Sequence, residues 1–313
     1  KMPTTYSRKY GKEAVKTAVN NAEVPRLENV KDLSTVESID LNSLQKIKTN
    51  IPEIDRVIGG LVMSQVVLLT GKRGEGKSTF MSQLVCEALD QGENVFVYSG
   101  ELADYHFKRW LDYQLAGTGN IQSHLNPYGD YEYSIAKSVL DQISNWYKGR
   151  AYIYDNSWVP DGGKEMETLP ETIEKVIRQY SVRLVCIDNL MTAMETVADN
   201  SQLNLAQSNF VGKLKQIAAK YDVVIILVAH PRKSKDDFSN DDVAGSADIT
   251  NKADVVMSYQ RSDSTDCNSI LQVTKNRLFG KYAVKDDAVR LMYSEKSKRI
   301  FSSDGDRHYG WEK

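Results

Sequence analysis

The run Gly71-Lys-Arg-Gly-Glu-Gly76-Lys77-Ser78 has the spacing GxxxxGK[ST] of a phosphate-binding loop (P-loop). Its glycines allow a tight turn whose backbone N–H groups point at phosphate oxygens, beside the N-terminus of the next helix. Lys77 is then expected to reach the β- and γ-phosphates, and the Ser78 hydroxyl to bind Mg²⁺. The motif therefore predicts ATP, or another NTP, with Mg²⁺ as its ligands. The residues predicted to bind nucleotide in this loop are Gly71, Lys72, Arg73, Gly74, Glu75, Gly76, Lys77, Ser78 and Thr79.

Two carboxylates follow apolar runs that are typical of buried strands. Asp188 ends the run Arg183–Asp188, and Glu101 comes directly after Tyr98-Ser-Gly. A carboxylate at the C-terminal end of a parallel strand can help to hold Mg²⁺ or orient water. The alternatives are a turn residue for Asp188 and a helix N-terminal residue, favoured by the helix dipole, for Glu101. Position alone leaves both alternatives open.

A histidine and two groups of cations complete the candidate set. His230 ends the run Val223–Ala229 and is either a structural residue or a sensor of the γ-phosphate. The basic side chains that follow it are candidates for a nucleic-acid backbone, although such a run is more often merely solvated: Arg232, Lys233 and Lys235. Lys275 and Arg277 stand two residues apart on an extended segment, so their side chains point the same way and could enter one anionic site. A solvated strand end is the alternative.

Apolar runs alternate with amphipathic stretches along most of the chain. We predict strands at residues 66–70, 95–99, 151–154, 184–187, 223–229 and 255–259, with shorter ones near 270–274, 289–293 and 299–301. Helices are predicted near 12–20, 51–58, 77–89, 102–117, 131–147, 169–180 and 201–220. This alternation predicts an α/β protein with a mostly parallel twisted sheet, flanked by helices, and further short strands at the C-terminal edge of the sheet.

Composition bounds these interpretations. The chain has 313 residues, a net charge of −2 and three widely spaced cysteines, which argue against a disulfide framework and a zinc site. It has no long apolar segment and no secretory signal, so we expect no membrane partner. The predicted domains are an N-terminal arm or linker at 1–48, an ATPase domain at 49–303 and a C-terminal tail at 304–313.

Several segments together resemble the RecA-like hexameric replicative DNA helicases of the DnaB superfamily, with mitochondrial Twinkle and the helicase half of phage primase-helicases as the nearest types. The resemblance covers roughly residues 50–303 and implies a RecA-like P-loop NTPase core with short antiparallel strands at its C-terminal edge. The segments that carry it are Tyr98-Ser-Gly-Glu101, Ile187-Asp-Asn-Leu190, Val228-Ala-His-Pro-Arg-Lys233, Gly245-Ser-Ala247 with Ala253-Asp254, and Leu271-Gln-Val-Thr-Lys-Asn-Arg277. One departure lies at Leu278–Tyr282, where the family usually has an aromatic residue and then Gly-Asp-x-Gly.

The resemblance implies a role for each candidate. Glu101 is expected to be the catalytic carboxylate, Asp188 the Mg²⁺ partner and His230 the γ-phosphate sensor. Arg277, assisted by Lys275, is expected to act as an arginine finger in the ATP site of the adjacent subunit. Arg261 and Tyr293 match, more loosely, family positions on either side of the nucleotide base. The loops at about 192–205 and 231–248 correspond to those that grip single-stranded DNA.

The resemblance further implies 5′→3′ translocation by a hexameric ring, with primase or other replisome proteins as additional partners. It implies a cytoplasmic protein, in the host cytoplasm if the chain is phage-encoded, with the mitochondrion as the alternative. Two other functions stay open. One is a RecA- or RadA-like recombinase, and the other is a non-motor ATPase whose nucleotide only gates assembly.

Overall fold

A computed structural model describes residues 9–22, 27–159, 167–194, 203–230, 247–302 and 307–312. The chain divides into two compact units, Lys1–Ser43 and Leu44–Lys313. The first contains helix α1, Lys12–Asn20, at the predicted position; none of its residues is buried. Among the described residues, no helix is both long and apolar enough to span a bilayer.

The second unit is built on strands that the sequence largely predicts. Its strands are β1 Lys46–Ile47, β2 Leu61–Val62, β3 Val66–Thr70, β4 Asn94–Ser99, β5 Ile121–Leu125, β6 Tyr131–Ile135, β7 Ala151–Ile153, β8 Val182–Asp188, β9 Val224–Ala229, β10 Val255–Arg261, β11 Ser269–Asn276, β12 Val289–Tyr293 and β13 Ile300–Phe301. Its helices are α2 Pro52–Ile58, α3 Lys77–Asp90, α4 Asp104–Ala116, α5 Lys137–Trp146, α6 Leu169–Tyr180, α7 Leu203–Tyr221 and α8 Ala247–Lys252.

Within the described residues, nine strands form one sheet in the order β13-β12-β11-β10-β3-β9-β8-β4-β7. The six from β10 to β7 are mutually parallel, and β11 to β13 add an antiparallel edge. This confirms the predicted fold class. The parallel strands are apolar along most of their length because helices cover both faces of the sheet. In β8, Leu184 and Cys186 pack on one face, while Val185 and Ile187 pack on the other.

Local sequence explains where α6 begins. Thr168 and Glu171 form a capping box, in which each side chain satisfies a backbone group of the helix's first turn. Pro170 also lies in that turn. Backbone N–H groups in the first turn have no acceptor within the helix, so a proline there costs no hydrogen bond.

The predicted helix at 131–147 is wrong in its first part. Tyr131–Ile135 is strand β6, paired antiparallel with β5 in a separate hairpin, and the helix there begins only at Lys137. The segment Tyr-Glu-Tyr-Ser-Ile alternates large apolar and polar side chains, and this period of two is that of a strand.

The packed unit extends beyond residues 49–303 in both directions. Strand β1 pairs with β2, which ties Lys46 and Ile47 to the domain. At the other end Tyr309 is fully buried, and the Trp311 indole donates a hydrogen bond to the Leu115 carbonyl oxygen at 2.7 Å. The described part of the last ten residues therefore packs against the ATPase core.

Candidate active site

Sheet topology brings the predicted catalytic side chains to one edge. Strands β3, β9, β8 and β4 are adjacent and parallel, so their C-terminal ends lie side by side. Thr70, the last residue of β3, pairs with Ala229, and Ser99 pairs with Asp188. The same edge of the sheet therefore carries the P-loop, His230, Asp188 and Glu101. In open α/β sheets this edge is where ligands usually bind.

The P-loop wraps around the Lys77 ammonium. This side chain is buried, and its Nζ donates to the carbonyl oxygens of Gly71 at 2.8 Å and Lys72 at 2.7 Å. Burial lowers the pKa of Lys77, while the negative charges of Asp188 and Glu101 oppose that shift. Anionic phosphate oxygens would supply the counter-charge that a buried ammonium requires.

Backbone geometry explains the glycine at the first position of the loop. Gly71 has φ +146°, and a Cβ placed there would lie 2.0 Å from the Tyr259 carbonyl oxygen on β10. Arg73 and Gly74 are exposed at the tip of the loop, as is Lys72. The backbone carbonyl of Thr79, one turn into α3, accepts from Ser82 and Gln114 inside the domain.

Ser78 and Asp188 form the candidate metal pair. The Ser78 hydroxyl hydrogen-bonds the Asp188 carboxylate, which is 2% exposed. Burial raises the pKa of Asp188; the Ser78 hydrogen bond opposes the shift, and the Glu101 charge adds to it. A hydroxyl and a carboxylate are oxygen ligands of the kind that Mg²⁺ prefers, and a divalent cation would offset this buried negative charge. The donor set therefore fits a Mg²⁺–phosphate group.

Glu101 lies beside His230 and Asn189. The Asn189 amide Nδ2 is 2.5 Å from Glu101 Oε1 and 3.1 Å from His230 Nε2, and His230 Nε2 is 3.3 Å from Glu101 Oε1. Glu101 is the most solvent-accessible of the three, with 46% of its side chain exposed. A carboxylate held in this way beside the phosphate cradle can orient or deprotonate an attacking water molecule.

A cavity adjoins the P-loop on the side of the antiparallel strands. It has a volume of about 610 Å³, and its lining includes Glu75, Gly76 and Thr79 together with Arg261 and Tyr293. The Glu75 carboxylate accepts a hydrogen bond from the Arg261 backbone N–H. Burial raises the pKa of Tyr293. The two residues expected to flank a nucleotide base therefore lie around one cavity next to the phosphate loop.

Lys275 and Arg277 lie away from this edge. Strand β11 runs antiparallel to β10, so Lys275 pairs with Val256 near the N-terminal end of the parallel strands. The Arg277 backbone N–H donates to the Asp254 carbonyl, and the Asp254 N–H donates to the Val66 carbonyl. Val66 lies five residues before Gly71, and at the rise of a β-strand these five residues span about 16 Å along the sheet. The finger residues therefore do not join the phosphate cradle of their own chain.

Backbone carbonyls and one carboxylate hold these two cations in place. Lys275 Nζ donates to the carbonyls of Thr250 and Asn251 at the end of α8, and Arg277 also donates to Asn251. Asp254 Oδ1 lies 3.5 Å from an Arg277 guanidinium nitrogen. Burial and the neighbouring Arg277 charge lower the pKa of Lys275.

The candidate DNA-binding residues Arg232, Lys233 and Lys235 lie outside the described residues, as does much of the loop after β8. Two supporting residues had no role assigned from the sequence. Asn189 and Asp254 stood inside the motifs quoted above, but only their contacts show what they touch. Their one sequence signal is position, since Asn189 directly follows the strand-ending Asp188 and Asp254 directly precedes β10.

Comparison with known proteins agrees with this geometry. Residues 34–236 match the AAA domain family. The DNA repair protein RadA of Mycobacterium tuberculosis is 25% identical over 244 residues, which cover 77% of this chain and 41% of RadA. The chain thus spans less than half the length of that relative.

Two solved structures are similar in fold. One is an isolated ATPase domain, which aligns with a TM-score of 0.66 at 18% identity, over 84% of this chain and 93% of that domain. The other is a DnaB-like replicative helicase, described with its primase interactions, which aligns with a TM-score of 0.67 at 18% identity, over 96% of this chain and 74% of the helicase. The chain therefore belongs to the AAA domain family, and its fold is the RecA-like P-loop ATPase fold of DnaB-like helicases.

Proposed function

We propose that this chain is an ATP-dependent DNA helicase that translocates 5′→3′ on single-stranded DNA as a hexameric ring. The P-loop and Asp188 would hold ATP with Mg²⁺, and the cation would supply positive charge to the phosphates. Lys77 binds those phosphates, and Ser78 with Asp188 holds the cation. Glu101 orients the attacking water and accepts its proton, while His230 contacts the γ-phosphate.

The position of Arg277 carries the proposal. Phosphoryl transfer in P-loop ATPases gains about 10³–10⁵ in rate from an arginine that stabilises the transition state. Lys275 and Arg277 stand at the opposite edge of the sheet from their own cradle, held by the end of α8. They can serve a cradle only in another copy of the chain. Repeated head-to-tail contact of this kind closes into a ring when the rotation permits.

Mixing two inactive variants tests this arrangement. Glu101→Gln lacks the catalytic carboxylate but keeps the finger, and Arg277→Ala lacks the finger but keeps the carboxylate. In a random equal mixture, about one quarter of the interfaces pair an intact Glu101 with an intact Arg277. ATP hydrolysis should recover to about that fraction of the wild-type rate. Mixed assemblies that stay inactive would contradict the trans arrangement.

DNA dependence tests the motor itself. Single-stranded DNA should stimulate hydrolysis, and its binding should weaken steeply with salt because phosphate contacts release counterions. In this proposal Arg232, Lys233 and Lys235 contribute those contacts. A rate of ATP hydrolysis that changes with neither DNA nor salt would instead favour the non-motor alternative.

Similarity to the DNA repair protein RadA supports a second candidate, an ATPase of DNA repair, which we take to act without opening forked DNA. A strand-displacement assay with forked DNA separates the two candidates. A helicase of the proposed polarity opens forks that carry a 5′ single-stranded tail and leaves those with only a 3′ tail closed. Failure to open either fork, with DNA-stimulated hydrolysis intact, would favour the second candidate.

A further inference from the structure

The Asn189 side chain lies between the hydrolysis residues and the loop that follows β8. It is 1% exposed. Its Oδ1 accepts from the backbone N–H groups of Met191 at 2.9 Å and Thr192 at 3.2 Å. Its Nδ2 faces Glu101 Oε1 at 2.5 Å and His230 Nε2 at 3.1 Å. One rigid amide therefore contacts both the proposed catalytic pair and the first turn of the loop.

Chemistry fixes which way round this amide sits. Backbone N–H groups can only donate, so the atom facing Met191 and Thr192 must be the oxygen. An ionised carboxylate can only accept, so the atom facing Glu101 must be the nitrogen. Asparagine supplies both functions on one planar group, whereas aspartate keeps the acceptor and loses the donor.

The start of the loop has little freedom to move independently of β4. The Tyr98 hydroxyl donates to the Thr192 carbonyl at 2.9 Å. A Cβ added to Gly100 would lie 2.1 Å from Thr192 Oγ1. Gly100 directly precedes Glu101, so the backbone that leads into the catalytic carboxylate lies close against the first turn of the loop. A shift of either one must displace the other or break the amide bridge.

We propose that Asn189 is a positioning residue that couples the state of the phosphate site to the loop after β8. When Glu101 and His230 turn towards the γ-phosphate, the Asn189 Nδ2 loses or exchanges its partners, and the amide rotates or shifts. Its Oδ1 then releases or re-aims the backbone N–H groups of Met191 and Thr192. This coupling rests on the proposed function, because that function is what assigns the loop to DNA.

Hydrogen exchange followed by mass spectrometry measures the coupling without DNA. We compare Mg²⁺–ADP with Mg²⁺–ADP–aluminium fluoride, which imitates the transferring phosphoryl group. In the wild type, exchange of the amides of Met191 and Thr192 should differ by about fivefold between the two ligands, the factor expected for one hydrogen bond. In Asn189→Asp this difference should fall below about twofold, because the donor to Glu101 and His230 is gone.

Asn156→Asp is the matched control. Its amide donates to the Ser99 carbonyl at 2.6 Å, and Asn156 lines a cavity of about 700 Å³ together with Glu101 but has no hydrogen bond to Glu101 or His230. It adds the same charge to the same region and should keep the wild-type difference. An Asn189→Asp protein that retains the full difference would overturn the proposal, and so would a wild type that shows none.

If Asn189→Asp does not fold, two substitutions of Glu101 test the same hydrogen bond from its acceptor side. Glu101 is partly exposed and tolerates substitution. Glu101→Gln keeps an oxygen that accepts from Asn189 and should keep the exchange difference, whereas Glu101→Ala should reduce it. Equal differences in these two variants would also refute the coupling. A wild-type chain that is not stimulated by single-stranded DNA would refute the proposed function alone, since the exchange measurement contains no DNA.

Discussion

The carboxylate of Glu87 offers a sharp test of how the C-terminal segment stabilises the ATPase core. Glu87 lies in α3, the helix that begins at Lys77. Its side chain is 1% exposed and lies 3.0 Å from a guanidinium nitrogen of Arg307 and 3.4 Å from one of Arg299. The Tyr309 hydroxyl donates to it at 2.8 Å. One buried carboxylate therefore joins the P-loop helix to residues at the end of the chain.

Replacing Glu87 with alanine removes the counter-charge of a guanidinium that cannot reach water. The Arg299 side chain is only 5% exposed, so its charge would be left buried and uncompensated. Breaking a buried pair in this way costs about 3–5 kcal/mol. We therefore expect Glu87→Ala to lower the free energy of unfolding by about that amount.

Glu132→Ala is the matched control. Glu132 lies on β6 with 57% of its side chain exposed and pairs with His124 at 3.1 Å. An exposed pair contributes about 0–1 kcal/mol, so this variant should stay close to the wild type. Urea unfolding followed by circular dichroism gives both free energies from the midpoint and slope. Two variants that agree within about 1 kcal/mol would refute the view that Glu87 compensates buried charge.

Three further predictions follow from other contacts. Deleting residues 303–313 should destabilise the domain by several kcal/mol, because buried C-terminal side chains leave the core; an unchanged urea midpoint would contradict this. Gly71→Ala should weaken binding of a fluorescent nucleotide by at least about tenfold, because its Cβ would overlap a backbone carbonyl; Gly92→Ala, whose Cβ meets nothing within 4 Å, should not. Asp254→Asn removes the negative charge that lies 2.6 Å from Lys215 and 3.5 Å from Arg277, and should lower saturated turnover at least about tenfold with nucleotide affinity unchanged; a loss of affinity instead would show that Asp254 acts through folding.

Much of the fold can be predicted from apolar periodicity and turn chemistry alone. The P-loop and the strands before and after it follow from local sequence, because buried parallel strands are continuous apolar runs. The antiparallel direction of the C-terminal edge was implied only by the family resemblance. The helix predicted across 131–135 was wrong because the period of two in this segment is that of a strand, and pairing with Ile121–Leu125 stabilises the strand. The packing of Tyr309 and Trp311 likewise depends on partners more than 180 residues away, Glu87 for Tyr309 and Leu115 for Trp311.

The candidate site likewise has parts that the sequence predicts and parts that only distant contacts determine. The sequence by itself determined that Lys77, Ser78, Asp188, Glu101 and His230 would meet, because each stands at the C-terminal end of a predicted parallel strand or in the loop that follows it, and such ends share one edge. It could not determine that Asn189 bridges Glu101 and the next loop, since a hydrogen bond across 88 residues has no local pattern.

Only the tertiary structure decided that Arg277 faces away from its own phosphate cradle. Two cations on an extended chain look the same in sequence whichever edge of the sheet they reach. The direction of β11, antiparallel to β10, carries them to the far edge, where α8 and Asp254 hold them. Strand direction is set by pairing with distant neighbours, so a local motif cannot encode it.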